Sequence, residues 1–153
     1  MGLDCYFAIK YDEKKSFDFD VKENIGYFRG YYSLSDYMYN LVHNAPEKYK
    51  YDEYSIMDWV LLSKSDIQTM MDYVNPIYSK LSDYTEEEVD EFDTNGYPED
   101  FNSLFATNPF NPYNDNDRWG GYNIQLLYEC LSKILALYDD KSKNPIVAFM
   151  KEC

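Results

Sequence analysis

Two groups of side chains in this sequence have the type and spacing to do chemistry. The first is acidic. Residues 83–100 hold Asp83, Glu86, Glu87, Glu88, Asp90, Glu91, Asp93, Glu99 and Asp100, and no basic residue. On a helix, side chains three or four positions apart stand ~5–6 Å from one another. Glu86, Glu87, Glu88, Asp90, Glu91 and Asp93 would then form a dense carboxylate array able to imitate phosphates before a basic partner. The plainer reading is a solvated segment that keeps the chain soluble. Val89 and Phe92 are apolar within it, as an anchor onto the core or as part of a contact patch.

The second group surrounds the two arginines, set against twelve lysines. Both lie among aromatics and glycines, in Gly26-Tyr27-Phe28-Arg29-Gly30 and Asp117-Arg118-Trp119-Gly120-Gly121. A guanidinium is a rigid planar fork that a lysine cannot reproduce. Each arginine is expected to be buried and paired with a carboxylate, Asp4 or Asp36 for instance, as a structural tie. The other use of this chemistry is a pocket for an anion, lined by Asp4, Arg29, Ser35, Asp117, Arg118 and Trp119.

Other chemistries lack their residues. His43 is the only histidine, which excludes a histidine metal cluster or a pair of histidine acid–base groups; it reads as a surface residue near a helix C-terminus. Cys5, Cys130 and Cys153 are too scattered for a disulfide framework or a CxxC metal site and read as reduced thiols. Glu91-x-Asp93-x-Asn95-Gly96 echoes a calcium loop, but its twelfth position is Asn102, so the bidentate glutamate is missing. No glycine-rich phosphate loop and no GxSxG occurs. Neither a metal nor a cofactor is expected, and no catalytic residue is assigned.

These side chains must be positioned by a mixed set of elements. Residues 3–10 read as a strand. Residues 16–22 alternate apolar and polar with a period of two and read as its hairpin partner. The two glycines around Tyr27–Arg29 suggest a turn or a close backbone approach. Leu34, Tyr37, Met38, Leu41 and Val42 mark a helix over 33–44, capped by Ser33 and ended by Ala45-Pro46. Residues 55–62 read as a buried strand. A helix over 64–82 follows, with Ser65 and Gln68 as a capping box and a kink or break before Pro76. Thr85 and Glu88 open a short acidic helix to about Phe92, and Asn95-Gly96 is a turn. Residues 97–121 should be mostly loop, with one helical turn at 100–105. Ile124, Leu127, Leu131, Ile134 and Leu135 define a long helix over 122–139, and residues 145–150 a final strand. Strands and helices alternate too irregularly for a doubly wound sheet. The expectation is one α+β domain: a small, mainly antiparallel sheet packed with about three main helices.

Met1-Gly2-Leu3-Asp4-Cys5-Tyr6 resembles the MGLDMYL opening of small uncharacterised proteins of bacteriophages and prophages. Those proteins continue with a segment like Y-W-R-K-A-N-x-I-H-x-W-F, an LSKEDL-type helix start, and a Tyr/Asp/Glu/Trp loop before the last helix. The counterparts here are Gly26-Tyr27-Phe28-Arg29 with Leu34 and Tyr37, then Leu62-Ser63-Lys64-Ser65-Asp66-Ile67, then Asp117-Arg118-Trp119. Where the family pattern has Asn and His, this chain has Tyr32 and Ser35, so a site built on those residues is expected to be lost. The resemblance implies a viral or prophage origin and carries no activity.

The chain has 153 residues, 45% hydrophobic, with a net charge of −14. That is enough for one core and too acidic to bind nucleic acid through a basic face. No signal peptide or membrane-length apolar run occurs, so a cytoplasmic protein is expected, in the host cytoplasm if it is phage-encoded. The phage-like source that the resemblance implies, with small size, acidity and the poor catalytic inventory, points to a non-enzymatic inhibitor. Its partner would be a basic host protein such as a nuclease or polymerase of the restriction, CRISPR or transcription machinery. The alternative is a binder of a small anionic ligand such as a nucleotide, or an enzyme, using the Arg/Asp/aromatic pocket.

Overall fold

The computed structural model describes residues 2–11, 24–49, 60–114 and 120–152. The strands are β1 (Asp4–Lys10), β2 (Asn24–Arg29), β3 (Val60–Leu62) and β4 (Ile146–Glu152). They form one antiparallel sheet in the order β2-β1-β4-β3. The helices are α1 (Tyr32–Asn44), α2 (Lys64–Leu81), α3 (Glu86–Asn95), the single turn α4 (Asn102–Phe105) and α5 (Gly120–Tyr138).

The sheet follows from period-two patterning. Cys5 and Phe7 of β1, Phe28 of β2, Val60 and Leu62 of β3, and Val147 and Phe149 of β4 point into the main core. There they meet Ile67, Met70, Val74 and Ile77 of α2 and Ile124, Leu127, Leu131 and Ile134 of α5. The alternate residues Ala8, Ala148 and Met150 form a small second cluster, with Tyr6, Leu61 and Ile146 partly buried beside them. The result is the expected single α+β domain, with more helices than the three foreseen.

Several elements depart from the sequence reading. The partner described for β1 is Asn24–Arg29, the stretch expected to turn. Gly26 sits inside that strand because of what lies behind it: a Cβ there would stand 2.5 Å from Cys130 Sγ of α5. The close approach was legible; the strand was not. The turn is made instead at Gly30, whose φ of +66° glycine tolerates freely. The expected strand over 16–22 lies outside the described residues, as does most of the strand expected over 55–62.

The helix ends also differ. Ser33 does not cap α1; it is buried inside the helix, Tyr31 is the N-cap, and Asp36 lies beyond the first turn. α2 is capped by Ser63 and Asp66 rather than by Ser65 and Gln68. Ser63 Oγ accepts the Asp66 N–H at 3.1 Å, and Asp66 Oδ2 accepts the Ser63 N–H at 2.9 Å. Pro76 lies within α2 without ending it. The Thr85–Glu88 box of α3 forms as expected, and α3 runs on to Asn95, where Gly96 closes it with φ +109°.

Candidate functional site: an acidic helix fastened at its back

α3 is a short helix with little helix-forming reserve of its own, so its position depends on packing. Its inner side is held by Val89, only 2% exposed. Phe92 packs with Tyr84, Tyr97 and Phe101, and Tyr97 in turn meets Phe105 and Tyr113. The two apolar residues of the acidic segment are therefore its anchor. Thr85 Oγ1 accepts the Glu88 N–H at 3.2 Å, and Glu88 Oε1 accepts the Thr85 N–H at 3.0 Å. This box satisfies helix-end donors, and three glutamates in the first turn suit the positive end of the helix dipole.

Asp93 behaves unlike its neighbours. It is half-buried, and its carboxylate accepts the Gly121 N–H at 2.9 and 3.1 Å through its two oxygens, together with the Tyr97 hydroxyl. Gly121 belongs to the first turn of α5, so a carboxylate from α3 serves donors that α5 cannot satisfy internally. Burial raises the Asp93 carboxyl above its ordinary value, an effect that bonds from Tyr97, Gly121 and Tyr122 oppose and the charge of Asp90 reinforces. Burial, with the bond to Asp93 added, also raises the Tyr97 hydroxyl. A Cβ on Gly121 would lie 2.5 Å from Val89 Cγ1 and 2.7 Å from the Tyr97 hydroxyl, so α3 and α5 touch through that glycine. Asp93, expected to face a partner, is a structural tie. The spacing of Asp93 and Tyr97, one helical turn apart, and the Gly120-Gly121 pair were its only signals in the sequence.

The remaining acids point outward. Glu86, Glu87, Glu88, Asp90 and Glu91 are exposed, with Glu88 committed to its box. Nearby, Lys80 binds the Asp100 carboxylate at 3.1 Å and its carbonyl at 2.8 Å while lying over the Phe101 ring. Lys80 thus sets the edge of the acidic surface.

The expected anion pocket is only partly assembled. Asp4 and Arg29 stand opposite each other in the β1–β2 register. Arg29 is exposed, however, with its guanidinium beside Gly2, so it is not the buried arginine expected. The Asp4 carboxylate accepts the Tyr27 hydroxyl at 2.7 Å, a bond that leads the upward shift of that tyrosine. Ser35 is buried in a different depression, of about 320 Å³, with Met38, Val42 and Phe149. Asp117, Arg118 and Trp119 lie outside the described residues.

His43 closes the last turn of α1, exposed and stacked on Tyr39, with Nδ1 2.9 Å from the Tyr39 carbonyl. Cys5 and Cys130 are buried thiols, and burial pushes Cys130 up to about 12, which suppresses its reactivity. Among the described residues, no three His, Cys, Asp or Glu side chains cluster as metal ligands, and no helix is long and apolar enough to cross a membrane.

Compared with protein-family models, curated proteins and solved structures, the chain matches none.

Proposed function

We propose that this chain is a non-enzymatic acidic inhibitor whose α3 surface occupies the basic groove of a nucleic-acid-handling protein of the host, such as a nuclease or polymerase. The observation that carries the reading is the division of labour on α3. Val89, Phe92 and Asp93 fasten the helix from behind and Glu88 closes its N-terminal box, so Glu86, Glu87, Asp90 and Glu91 are offered on a rigid support. An array held in place loses less entropy on binding than one on a loop. Charge complementarity with a groove built for phosphates then gives a fast encounter that salt suppresses.

The test replaces Glu86, Glu87 and Glu91 by Gln and Asp90 by Asn in one variant. Exposed carboxylates contribute under ~1 kcal/mol each, so the melting temperature should hold or rise as repulsion is relieved. Affinity capture from host lysate at low salt, read by mass spectrometry, should recover nucleases or polymerases with the wild-type chain and lose them with the variant. Equal recovery by both proteins would retire the reading.

A further inference from the structure

Residues of α1, Thr69 and Tyr73 of α2, and residues 106–109 face one another across a depression. It is an open groove of about 700 Å³, within the range of binding clefts. Asp36, Asn40 and Asn44 line one wall at positions i, i+4 and i+8 of α1 and are exposed. Tyr37 and Tyr73 meet edge to face inside it, with ring centres 6.2 Å apart. Tyr37 also packs on Phe110 at 4.9 Å, which fixes its ring, and burial pushes its hydroxyl up to about 12, so it stays a donor near neutrality. The groove keeps its shape because the Asn108 amide donates to the Tyr73 carbonyl at 2.7 Å.

Among the described residues that line it none is basic, and their single formal charge is that of Asp36. That chemistry disfavours an anion. The spacing is informative too. Successive members of the wall rise ~6 Å along the helix, while alternate residues of an extended peptide repeat every ~6.6 Å. Side-chain amides can both donate to and accept from a peptide backbone. A carboxylate and the exposed Tyr73 ring favour a cationic side chain.

We infer that this groove seats an extended basic peptide segment, running along α1, with Asn40 and Asn44 on its backbone and an arginine or lysine toward Asp36 and Tyr73. The inference rests on the proposed basic partner and adds a second contact, of defined backbone geometry, away from α3.

The probe is a fluorescently labelled octapeptide alternating arginine and serine, followed by anisotropy. The double variant Asn40→Ala/Asn44→Ala leaves the net charge unchanged and places better helix formers on an exposed face. Its affinity should fall at least tenfold, and Tyr73→Ala should weaken binding similarly. The α3 variant described above should stay within about threefold of wild type. Wild-type affinity in the double variant overturns the groove, and if the α3 variant alone loses the peptide, the acidic helix stands without it. Binding of maltohexaose in place of the peptide, or of neither, overturns it as well.

Discussion

Asp66 and Asp93 are two carboxylates placed at helix N-termini, and the protein moves their protonation in opposite directions. Asp66, only 7% exposed, sits in its own helix. Burial acts to raise it, but the Ser63 N–H, the Tyr49 hydroxyl at 2.7 Å, the Ser63 side chain and the charge of Lys48 together hold it below the ordinary range. Asp93 reaches across to another helix with fewer donors and, among the described residues, no cation, so burial wins and its carboxyl is raised. Desolvation acts on both; the surrounding donors decide the sign. One carboxylate is thereby held more firmly as an anion, and the other takes a proton more readily than an ordinary aspartate.

The sharpest way to break this comparison is the amide swap. In Asp66→Asn one oxygen becomes an NH₂ facing a group that itself donates, since Tyr49 and Lys48 meet Oδ1 and the Ser63 N–H meets Oδ2. Loss of charge-assisted bonds in a buried setting should cost about 3 kcal/mol, read as the shift in urea midpoint at constant slope. Next in size is Gly121→Ala, which forces Val89 and Tyr97 away from α5. Overpacking of this kind costs about 2 kcal/mol, and the exchange protection of α3 amides should fall with it. Asp93→Asn should be milder, about 1 kcal/mol, because Oδ1 carries both the Tyr97 bond and the shorter Gly121 bond, and an amide oxygen in its place, with two lone pairs, can keep both while the Oδ2 contact is lost. If Asp93→Asn costs more than Asp66→Asn, the donor-count explanation fails.

The smallest effect has the most diagnostic sign. Asp66, lowered from 3.8, contributes stability that is complete above 3.8 and lost as pH falls through its folded value. Asp93, raised from 3.8, is destabilising when ionised, and that penalty appears as pH rises from 3.8 through its folded value. On acidification, the advantage of wild type over Asp66→Asn should therefore shrink, while its standing relative to Asp93→Asn should improve. Parallel curves from pH 3 to 7 would refute the comparison.

The same contrast separates what was legible in the sequence from what was not. The stripe from Ile124 to Ile134, the Thr85–Glu88 box and the exposed acids are local patterns, and each appears where the pattern placed it. Ser63/Asp66 and Ser65/Gln68 are equivalent as capping signals. Asp66 prevails in the fold where Tyr49, seventeen residues earlier, donates to it. At Gly26 the sequence leaves a turn and a close backbone approach open, because it does not reveal that Cys130 lies behind it. Asp93 is one acid among several in one dimension, and only α5, packed across it, distinguishes it. Arg29 departs from expectation for the converse reason: rarity and aromatic neighbours suggest burial, but the residue ends a strand that lies at the edge of the sheet among the described residues, and it is exposed.

The position of β4 bears on how this molecule comes into being. It lies between β1 and β3 and pairs Asp4 with Glu152 and Lys10 with Ile146. The centre of the sheet thus joins the two most distant parts of the described chain, and the loop-closure entropy of nearly the whole sequence is spent before that pairing is rewarded. On the ribosome, β1 must wait with one hydrogen-bonding edge unpaired until β4 emerges. α2 and α3, built from neighbouring residues, face no such delay. Assembly should therefore show fast helical and slow sheet phases, with the nascent chain most vulnerable to aggregation just before its central strand arrives.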